Sequence, residues 1–221
     1  MFPVSDSVFN WYDLGATLLW GISGAMLGAR KGYDIMGIFI VAMVSATGGG
    51  LLRDGIFLPD GPPRLIKTPN YLYMVAIATA LVFFFGQRLR ELGWMPGFLT
   101  LADAVGIRAY AVVGMNLAMA AELPLLGIIL VGVVNAVGGS ILRDVLMGIQ
   151  PEVLRPGVLL GLASLMGCIL FMGLLKLGVS SQWAGAATVA FVFVIRVLAL
   201  RFGVQTRALN AFEEDWRRDS K

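Results

Sequence analysis

The sequence predicts an all-α polytopic membrane protein with seven transmembrane helices, arranged as a 3+3 inverted repeat plus one helix. Hydrophobic residues make up 58% of the 221 positions and charged residues 14%, whereas soluble domains carry about 25% charged residues. The apolar residues form runs of about 20, the length with which a helix crosses a bilayer. In addition, the chain matches itself at an offset of 90 residues.

Turn-forming residues separate the apolar runs and set the boundaries of the predicted spans. The Pro-rich loop 59–70 cannot stay helical, because proline lacks an amide donor. The segments 90–97 and 150–157 also contain proline and glycine, and Glu122 and Pro124 separate the fourth span from the fifth. The predicted spans are 9–28, 35–58, 71–87, 101–119, 125–148, 157–177 and 182–200.

The internal repeat is carried by a string shared between the second and fifth spans. SATGGGLLRD at 45–54 aligns with NAVGGSILRD at 135–144, and Asp13 aligns with Asp103 in the same register. Because the offset contains three spans, an odd number, the second copy enters the membrane from the opposite side, as in inverted-repeat transport folds. The predicted parts are a first three-helix repeat at 9–87, a second at 101–177, a seventh helix at 182–200 and a polar cytoplasmic tail at 201–221.

Lysine and arginine are distributed unequally between the two sides of the predicted membrane protein. With the N-terminus outside, three basic residues lie in outside loops, namely Arg64, Lys67 and Lys176. The inside segments then carry Arg30, Lys31, Arg88, Arg90, Arg155, Arg201, Arg207, Arg217, Arg218 and Lys221. Cytoplasmic segments carry the basic excess in membrane proteins, so we predict an outside N-terminus and a cytoplasmic C-terminus. The net charge of +3 is assigned to these loops rather than to nucleic-acid binding.

Glycine strings lie near the middle of the second and fifth spans, TGGG at 47–50 and VGGS at 137–140. They are expected to allow a kink or an unwound turn whose carbonyls face a wet cavity. Paired breaks in two inverted halves point to a midplane site or a pore, where carbonyls replace part of a cation's water shell. The alternative is close helix packing through small residues, with polar side chains hydrogen-bonded between helices. The candidate pore residues are Ser45, Thr47, Gly48, Gly49, Gly50, Asn135, Gly138, Gly139 and Ser140.

Two Arg-Asp pairs follow the glycines within the same spans, Arg53-Asp54 and Arg143-Asp144. Ionisable residues at membrane depth are costly, so their presence indicates function. Adjacent helical positions do not face each other, and Arg53 is therefore not expected to pair with Asp54. The two-fold relation favours Arg53 with Asp144, or Arg143 with Asp54. Both an ion-pair lock between the repeats and pore lining remain open as explanations.

Asp13 and Asp103 lie near the starts of the first and fourth spans. They either line the path or interact favourably with the positive end of the helix dipole. Arg108 is a candidate pore-facing charge or gate, whereas Arg196 is close enough to the inner face to extend toward it.

The chain has no histidine and one cysteine, Cys168. This composition excludes an internal disulfide, a Cys/His metal site and a histidine-based catalytic dyad. We expect no structural metal, no cofactor and no enzymatic activity.

The duplicated strings T-G-G-G-x-x-R-D and V-G-G-x-x-x-R-D resemble those of the bacterial homologues of trimeric intracellular cation (TRIC) channels. The same bacterial family has also been labelled as glycine transporters and as being of unknown function. The resemblance covers roughly 9–200. It implies a homotrimer in the bacterial inner membrane, surrounded by lipid, with one pore per subunit. It also implies K⁺ and Na⁺ permeation along glycine-broken second and fifth helices, with a milder second break because Ser140 replaces a glycine.

The leading hypothesis is therefore a passive monovalent cation channel without nucleic-acid or soluble protein partners. The alternative is a secondary transporter of a small zwitterion such as glycine, in which Arg53 or Arg143 binds the carboxylate. A channel produces unitary currents, whereas a transporter produces saturable uptake. A purely structural scaffold leaves the paired intramembrane charges unexplained.

Overall fold

The computed structural model describes residues 6–58, 61–91, 110–155 and 160–202. Within these ranges the chain is helical and contains no strand, which confirms the predicted all-α class. The helices are α1 (Asp6–Arg30), α2 (Ile35–Leu52), the one-turn α3 (Arg64–Lys67), α4 (Asn70–Glu91), α5 (Tyr110–Ala120), α6 (Leu125–Leu146), α7 (Leu160–Lys176) and α8 (Ser181–Phe202). A π-helical segment, Arg53–Phe57, extends α2, and a 3₁₀ turn, Glu152–Leu154, follows α6.

The observed helix boundaries lie within a few residues of the predicted spans, and the fourth span is described only from Tyr110 onward. Asp103 and Arg108 lie outside the described residues. The expectation that loop 59–70 contains no helix is wrong, since α3 forms one turn there. Its N-cap is Pro63, with φ of −52°, so Pro62 and Pro63 precede the helical turn and remove none of its hydrogen bonds.

Two helical stretches of the described chain, Ile35–Phe57 and Leu125–Leu146, are long and apolar enough to cross a membrane. The shorter apolar stretches are Asn70–Gly86, Tyr110–Ala120, Gly161–Lys176 and Ser181–Ile195. Large apolar side chains also lie on the outside of the bundle: Phe84 is 71% exposed, Leu126 80% and Trp183 74%. Such a surface suits contact with lipid, where side chains need not be polar.

Equivalent turns join α1 to α2 and α5 to α6. Gly32 has φ of 76°, and Glu122, 90 positions later, has φ of 56°. In both turns the next amide reaches back to the carbonyl five residues earlier, which closes the helix end. Glycine adopts this left-handed conformation freely, whereas for Glu122 the same conformation costs about 1–2 kcal/mol.

The helix α2 lies at the centre of the bundle. It packs against α1, α4 and α6, while α1 also packs against α4, and α7 packs against α6 and α8. Trp20, Met115, Cys168 and Phe171 are fully buried between these helices. We call the end of the bundle at which α1 begins the outer end, following the predicted orientation, and the opposite end the inner end.

Candidate functional site

The helices α2 and α6 cross at their glycines with backbone-to-backbone contact. A Cβ atom added at Gly49 would lie 2.2 Å from the carbonyl oxygen of Asn135, and one added at Gly139 would lie 2.5 Å from that of Ser45. A Cβ added at Gly48 would lie 3.1 Å from the Cα of Gly139. The contact is reciprocal, because each glycine faces the polar position that lies one helical turn before the glycines of the other helix.

The unwound turn expected at the glycines is wrong for this conformation. The chain stays α-helical through both strings, over Ile35–Leu52 and Leu125–Leu146. The amide of Arg53 donates to the carbonyls of Gly49 and Gly50, which therefore keep their helical partners. Because the glycines are covered by the facing helix, unwinding them here would leave buried backbone groups unpaired. In this conformation the glycines allow close helix packing, the alternative considered from the sequence, and their role in a pore stays a prediction.

Each intramembrane arginine pairs with the aspartate that follows it in sequence. Arg53 Nε lies 2.7 Å from Asp54 Oδ1, and Arg143 Nε lies 2.9 Å from Asp144 Oδ1. The predicted cross-pairing between repeats is therefore wrong. The rule that adjacent helical side chains diverge fails here. The arginine side chain is long and bends toward its own helix, so Nε reaches the neighbouring carboxylate. Burial favours this contact, because an unpaired charge there would be costly.

The terminal Nη1 atoms of the two guanidinium groups reach neutral side chains of the other repeat. Arg53 Nη1 donates to Asn135 Oδ1 at 3.3 Å, and Arg143 Nη1 donates to Ser23 Oγ at 3.4 Å. Asn135 also donates through Nδ2 to the carbonyl of Tyr110 at 2.6 Å. The link between repeats that the sequence predicted as ionic is thus made by hydrogen bonds to neutral groups.

The second oxygen of each aspartate accepts a backbone hydrogen bond from the loop that follows its helix. Asp54 Oδ2 accepts from the amide of Arg64 at 2.9 Å, and Asp144 Oδ2 accepts from the amide of Glu152 at 3.1 Å. These two amides begin α3 and the 3₁₀ turn, where helical donors lack internal partners. Each Arg-Asp pair therefore ties its transmembrane helix to the short helical turn beyond it.

A polar cluster extends from the crossing toward the outer end. The hydroxyl of Tyr71 donates to Asp13 Oδ2. Thr17 Oγ1 donates to the carbonyl of Asp13 at 2.7 Å and lies 2.8 Å from Tyr110 Oη, which in turn donates to the carbonyl of Ala46 at 2.8 Å. These contacts bring polar groups from α1, α2, α4 and α5 together within the apolar bundle.

Three cavities follow one another from the outer end to the crossing. A recess of about 580 Å³ lies at the outer end, followed by a cavity of about 20 Å³ and a crossing cavity of about 10 Å³. The first two share Asp54, Arg64 and Tyr71, and the last two share Gly50 and Tyr110 among their lining residues. A cavity needs about 10–15 Å³ to hold one water molecule, so the row narrows to the size of a single water at the glycines.

Most of the predicted pore residues line this row. The cavity of about 20 Å³ is lined by Asp13, Thr47, Gly50, Arg53 and Asp54 among others. The crossing cavity is lined by Ser45, Gly49, Gly50, Asn135 and Gly139 among others. Gly138, Arg143 and Asp144 lie beside the α2–α6 contact or toward the inner end. Ser140 Oγ donates to the carbonyl of Val137 in its own helix at 2.8 Å.

Four further polar or aromatic residues of the site were not predicted: Thr17, Trp20, Tyr71 and Tyr110. Trp20 and Tyr110 occupy equivalent positions at the repeat offset of 90 residues. The alignment of the two copies therefore contains a signal that could have identified these two aromatic residues. Tyr71 carries no such signal, since aromatic residues are common at the ends of membrane helices. Within the described ranges, no group of three His, Cys, Asp or Glu side chains is placed to hold a metal ion.

This chain is similar to bacterial membrane proteins. A family model described as "Glycine transporter" matches residues 10–87 and 100–176. A UPF0126 membrane protein of Vibrio cholerae is 34% identical over 199 residues, which cover 90% of this chain and 82% of the relative. The UPF0126 inner membrane protein YadS of Escherichia coli is 30% identical over 87% of this chain and 91% of its own length. The chain belongs to the UPF0126 family, whose family model is described as "Glycine transporter".

The fold also matches solved structures of TRIC channels, which confirms the resemblance seen in the sequence. The TRIC trimeric intracellular cation channel orthologue from Rhodobacter sphaeroides superposes with a TM-score of 0.80 at 30% identity, over 90% of this chain and 100% of that chain. A second TRIC cation channel gives a TM-score of 0.78 at 25% identity, over 93% and 97% of the two chains. The chain is therefore a bacterial homologue of TRIC channels.

Proposed function

We propose that this protein is a monovalent cation channel, permeable to K⁺ and Na⁺, whose path runs along the α2–α6 crossing of each subunit. The observation that carries the proposal is the row of cavities, which narrows from about 580 Å³ to about 20 and about 10 Å³. Such a row describes a path that is wide at its outer end and closed at the glycines in this conformation. The similarity to a protein described as a trimeric intracellular cation channel supports the proposal.

The narrow section of about 20 Å³ is lined by two acidic side chains, Asp13 and Asp54, and by two basic ones, Arg53 and Arg64. Arg53 lines the cavity of about 20 Å³, but its charge is balanced by Asp54 at 2.7 Å. Asp13, which is 4% exposed, accepts a hydrogen bond from neutral Tyr71 and lines the same cavity. The ionised form of Asp13 would supply the negative potential that attracts a cation into the narrow section.

In this conformation the crossing cavity has no room for a glycine molecule. At about 10 Å³ it has the size of one water molecule. Both candidate guanidinium groups are also engaged, since Arg53 and Arg143 pair with Asp54 and Asp144. Binding a substrate carboxylate would require breaking a buried ion pair, which is costly when one partner is left behind.

We further propose a homotrimer with one pore per subunit in the bacterial inner membrane, with the N-terminus outside. The seven-span 3+3+1 plan is supported by the two family matches, 10–87 and 100–176, and by the reciprocal contacts at the crossing. The trimer is supported by the Rhodobacter sphaeroides orthologue, which is described as trimeric. The location is supported by the naming of YadS as an inner membrane protein.

The proposal is tested by K⁺ efflux from liposomes that contain the purified protein. We expect efflux down a K⁺ gradient, and we expect Asp13→Asn to slow it several-fold, because Asn keeps the shape of the side chain and removes its charge. Asp34→Asn is the matched control. Asp34 is exposed and caps α2 by accepting from Gly37 at 2.7 Å, and Asn caps a helix equally well. Efflux no faster than from empty liposomes would contradict the channel.

A further inference from the structure

Trp20 is one of the residues that line the crossing cavity. It lies on α1 seven residues after Asp13, about 10 Å farther along the helix. Its side chain is 1% exposed and lines the cavity together with Ser45 and Gly139. A bulky aromatic side chain therefore borders the narrowest part of the row of cavities, which Tyr110 and Asn135 also line.

The indole of Trp20 also contacts Arg143. The guanidinium carbon of Arg143 lies 5.7 Å from the centroid of the Trp20 ring system, within the range of cation–π attraction. Arg143 Nη1 donates to Ser23 Oγ at 3.4 Å, and Ser23 lies one helical turn farther along α1 toward the inner end. The indole thus lies between the crossing cavity and the inner Arg-Asp pair.

Two residues that line the crossing cavity each carry a buried polar atom with no hydrogen-bond partner among the described residues. These atoms are Trp20 Nε1 and Ser45 Oγ. An indole N–H is only a donor, so it attracts the oxygen of a water molecule and repels a bare cation. The cavity volume of about 10 Å³ corresponds to one such water.

The equivalent residue of the second repeat, Tyr110, is held differently. Its hydroxyl lies 2.8 Å from both the Ala46 carbonyl and Thr17 Oγ1, and its carbonyl accepts from Asn135 at 2.6 Å. The two equivalent aromatic side chains therefore flank the crossing, one fixed by hydrogen bonds and one held by packing and a cation–π contact. Of the two, Trp20 is the one that can leave the path without breaking a hydrogen bond.

We propose that Trp20 is the constriction residue that closes the ion path on the inner side of the glycine crossing. This inference rests on the proposed channel function. Conduction requires the indole to move away from the cavity bordered by Ser45 and Gly139, which opens the passage toward Arg143. Trp20 then sets both the resting closure of the path and the largest cation that passes.

A volume series at Trp20 tests the constriction in planar bilayers containing K⁺. We expect Trp20→Phe to behave nearly as wild type, Trp20→Leu to raise the mean current per channel, and Trp20→Ala to raise it several-fold. The permeability of methylammonium relative to K⁺ should increase in the same order, a size dependence that general loosening of the fold would not produce. Trp183→Ala is the control, because Trp183 is 74% exposed on the outside of the bundle and should leave the currents unchanged.

The outcomes separate the constriction from the channel itself. Suppose that the wild-type protein conducts and that Trp20→Leu and Trp20→Ala show the same currents and the same selectivity as wild type. That result would overturn the role of Trp20 while leaving the channel function intact. An absence of wild-type currents would contradict the channel function and the constriction with it. If Trp20→Ala fails to assemble, Trp20→Leu decides the result, since leucine keeps an apolar side chain in the core.

Discussion

At the scale of single residues, Gly49 and Gly139 make the closest approaches to the backbone of a facing helix among the described glycines. Their added Cβ atoms would lie 2.2 and 2.5 Å from carbonyl oxygens of the facing helix, distances at which backbone must move. Glycine is therefore required for the close approach itself, and its flexibility in a helix is not used in this conformation.

Replacing either crossing glycine with alanine should separate α2 from α6. We expect Gly49→Ala and Gly139→Ala each to destabilise the protein by about 1–3 kcal/mol or more, as overpacking does. Thermal unfolding in detergent measures the effect. Gly15→Ala is the control: a Cβ there meets nothing within 4 Å, and alanine in a helix gains about 0.5–1 kcal/mol over glycine. Equal melting temperatures for Gly49→Ala and wild type would contradict the packing described above.

The buried ion pairs make a second prediction at this scale. Asp144→Asn leaves the guanidinium of Arg143 buried and uncompensated, which costs about 3–5 kcal/mol when one partner of a buried pair is removed. The double variant Arg143→Gln/Asp144→Asn removes both charges and should recover much of that loss. The free energy of unfolding in detergent distinguishes them, with Asp34→Asn as the exposed control. A double variant less stable than the single one would show that the pair is not the source of the cost.

The partners of these charges could not be predicted from the sequence, although their positions could. Apolar runs and the repeated R-D string place Arg53 and Arg143 at equivalent depths. Which neighbour each guanidinium contacts depends on rotamers that sequence spacing does not specify. The contact between Asp13 and Tyr71 likewise follows from the packing of α1 against α4, which no sequence pattern indicates.

At the scale of elements, the Arg-Asp pairs join each central helix to a short helical turn. The two joints differ: Asp54 reaches an amide ten residues later, whereas Asp144 reaches one eight residues later. The first joint also contains the π-helical segment Arg53–Phe57, which has no counterpart at the end of α6. Such segments are frequent at functional sites, and here the segment begins at the arginine that lines the narrow path.

The joint at α3 is tested by removing one backbone donor. Arg64 is the first residue of α3, a position where proline is tolerated because its missing amide has no helical partner. Arg64→Pro should therefore delete the bond to Asp54 and destabilise the protein by about 1 kcal/mol relative to Arg64→Ala, which keeps the amide. Thermal unfolding of the two variants isolates that bond, and identical melting temperatures would show that it contributes nothing.

The element boundaries were the most predictable part of the fold. Bilayer thickness sets the length of an apolar run, and proline and glycine mark its ends, so the spans 35–58 and 125–148 nearly coincide with the observed helices. The state of the glycines was not predictable, because the same string permits either a break or a close crossing. The facing helix decides between them, and its approach is a tertiary property.

At the scale of the whole molecule, the path is symmetric in its backbone and asymmetric in its side chains. The two copies present equivalent glycines and equivalent Arg-Asp pairs. The recess, the Asp13 cluster and the hydrogen-bonded Tyr110 all lie toward the outer end, whereas Trp20 and Arg143 lie toward the inner end. Among the described residues, the cavities therefore widen toward the outer end, and Trp20 borders the narrow crossing cavity.

Single-channel recording from the purified protein in planar bilayers distinguishes a cation channel from a transporter. Under a KCl gradient, we expect stepwise unitary currents whose reversal potential lies close to the K⁺ equilibrium potential. We also expect added glycine to leave these currents unchanged. Silent bilayers, together with saturable uptake of labelled glycine into liposomes that contain the same preparation, would contradict the channel and assign the fold to transport.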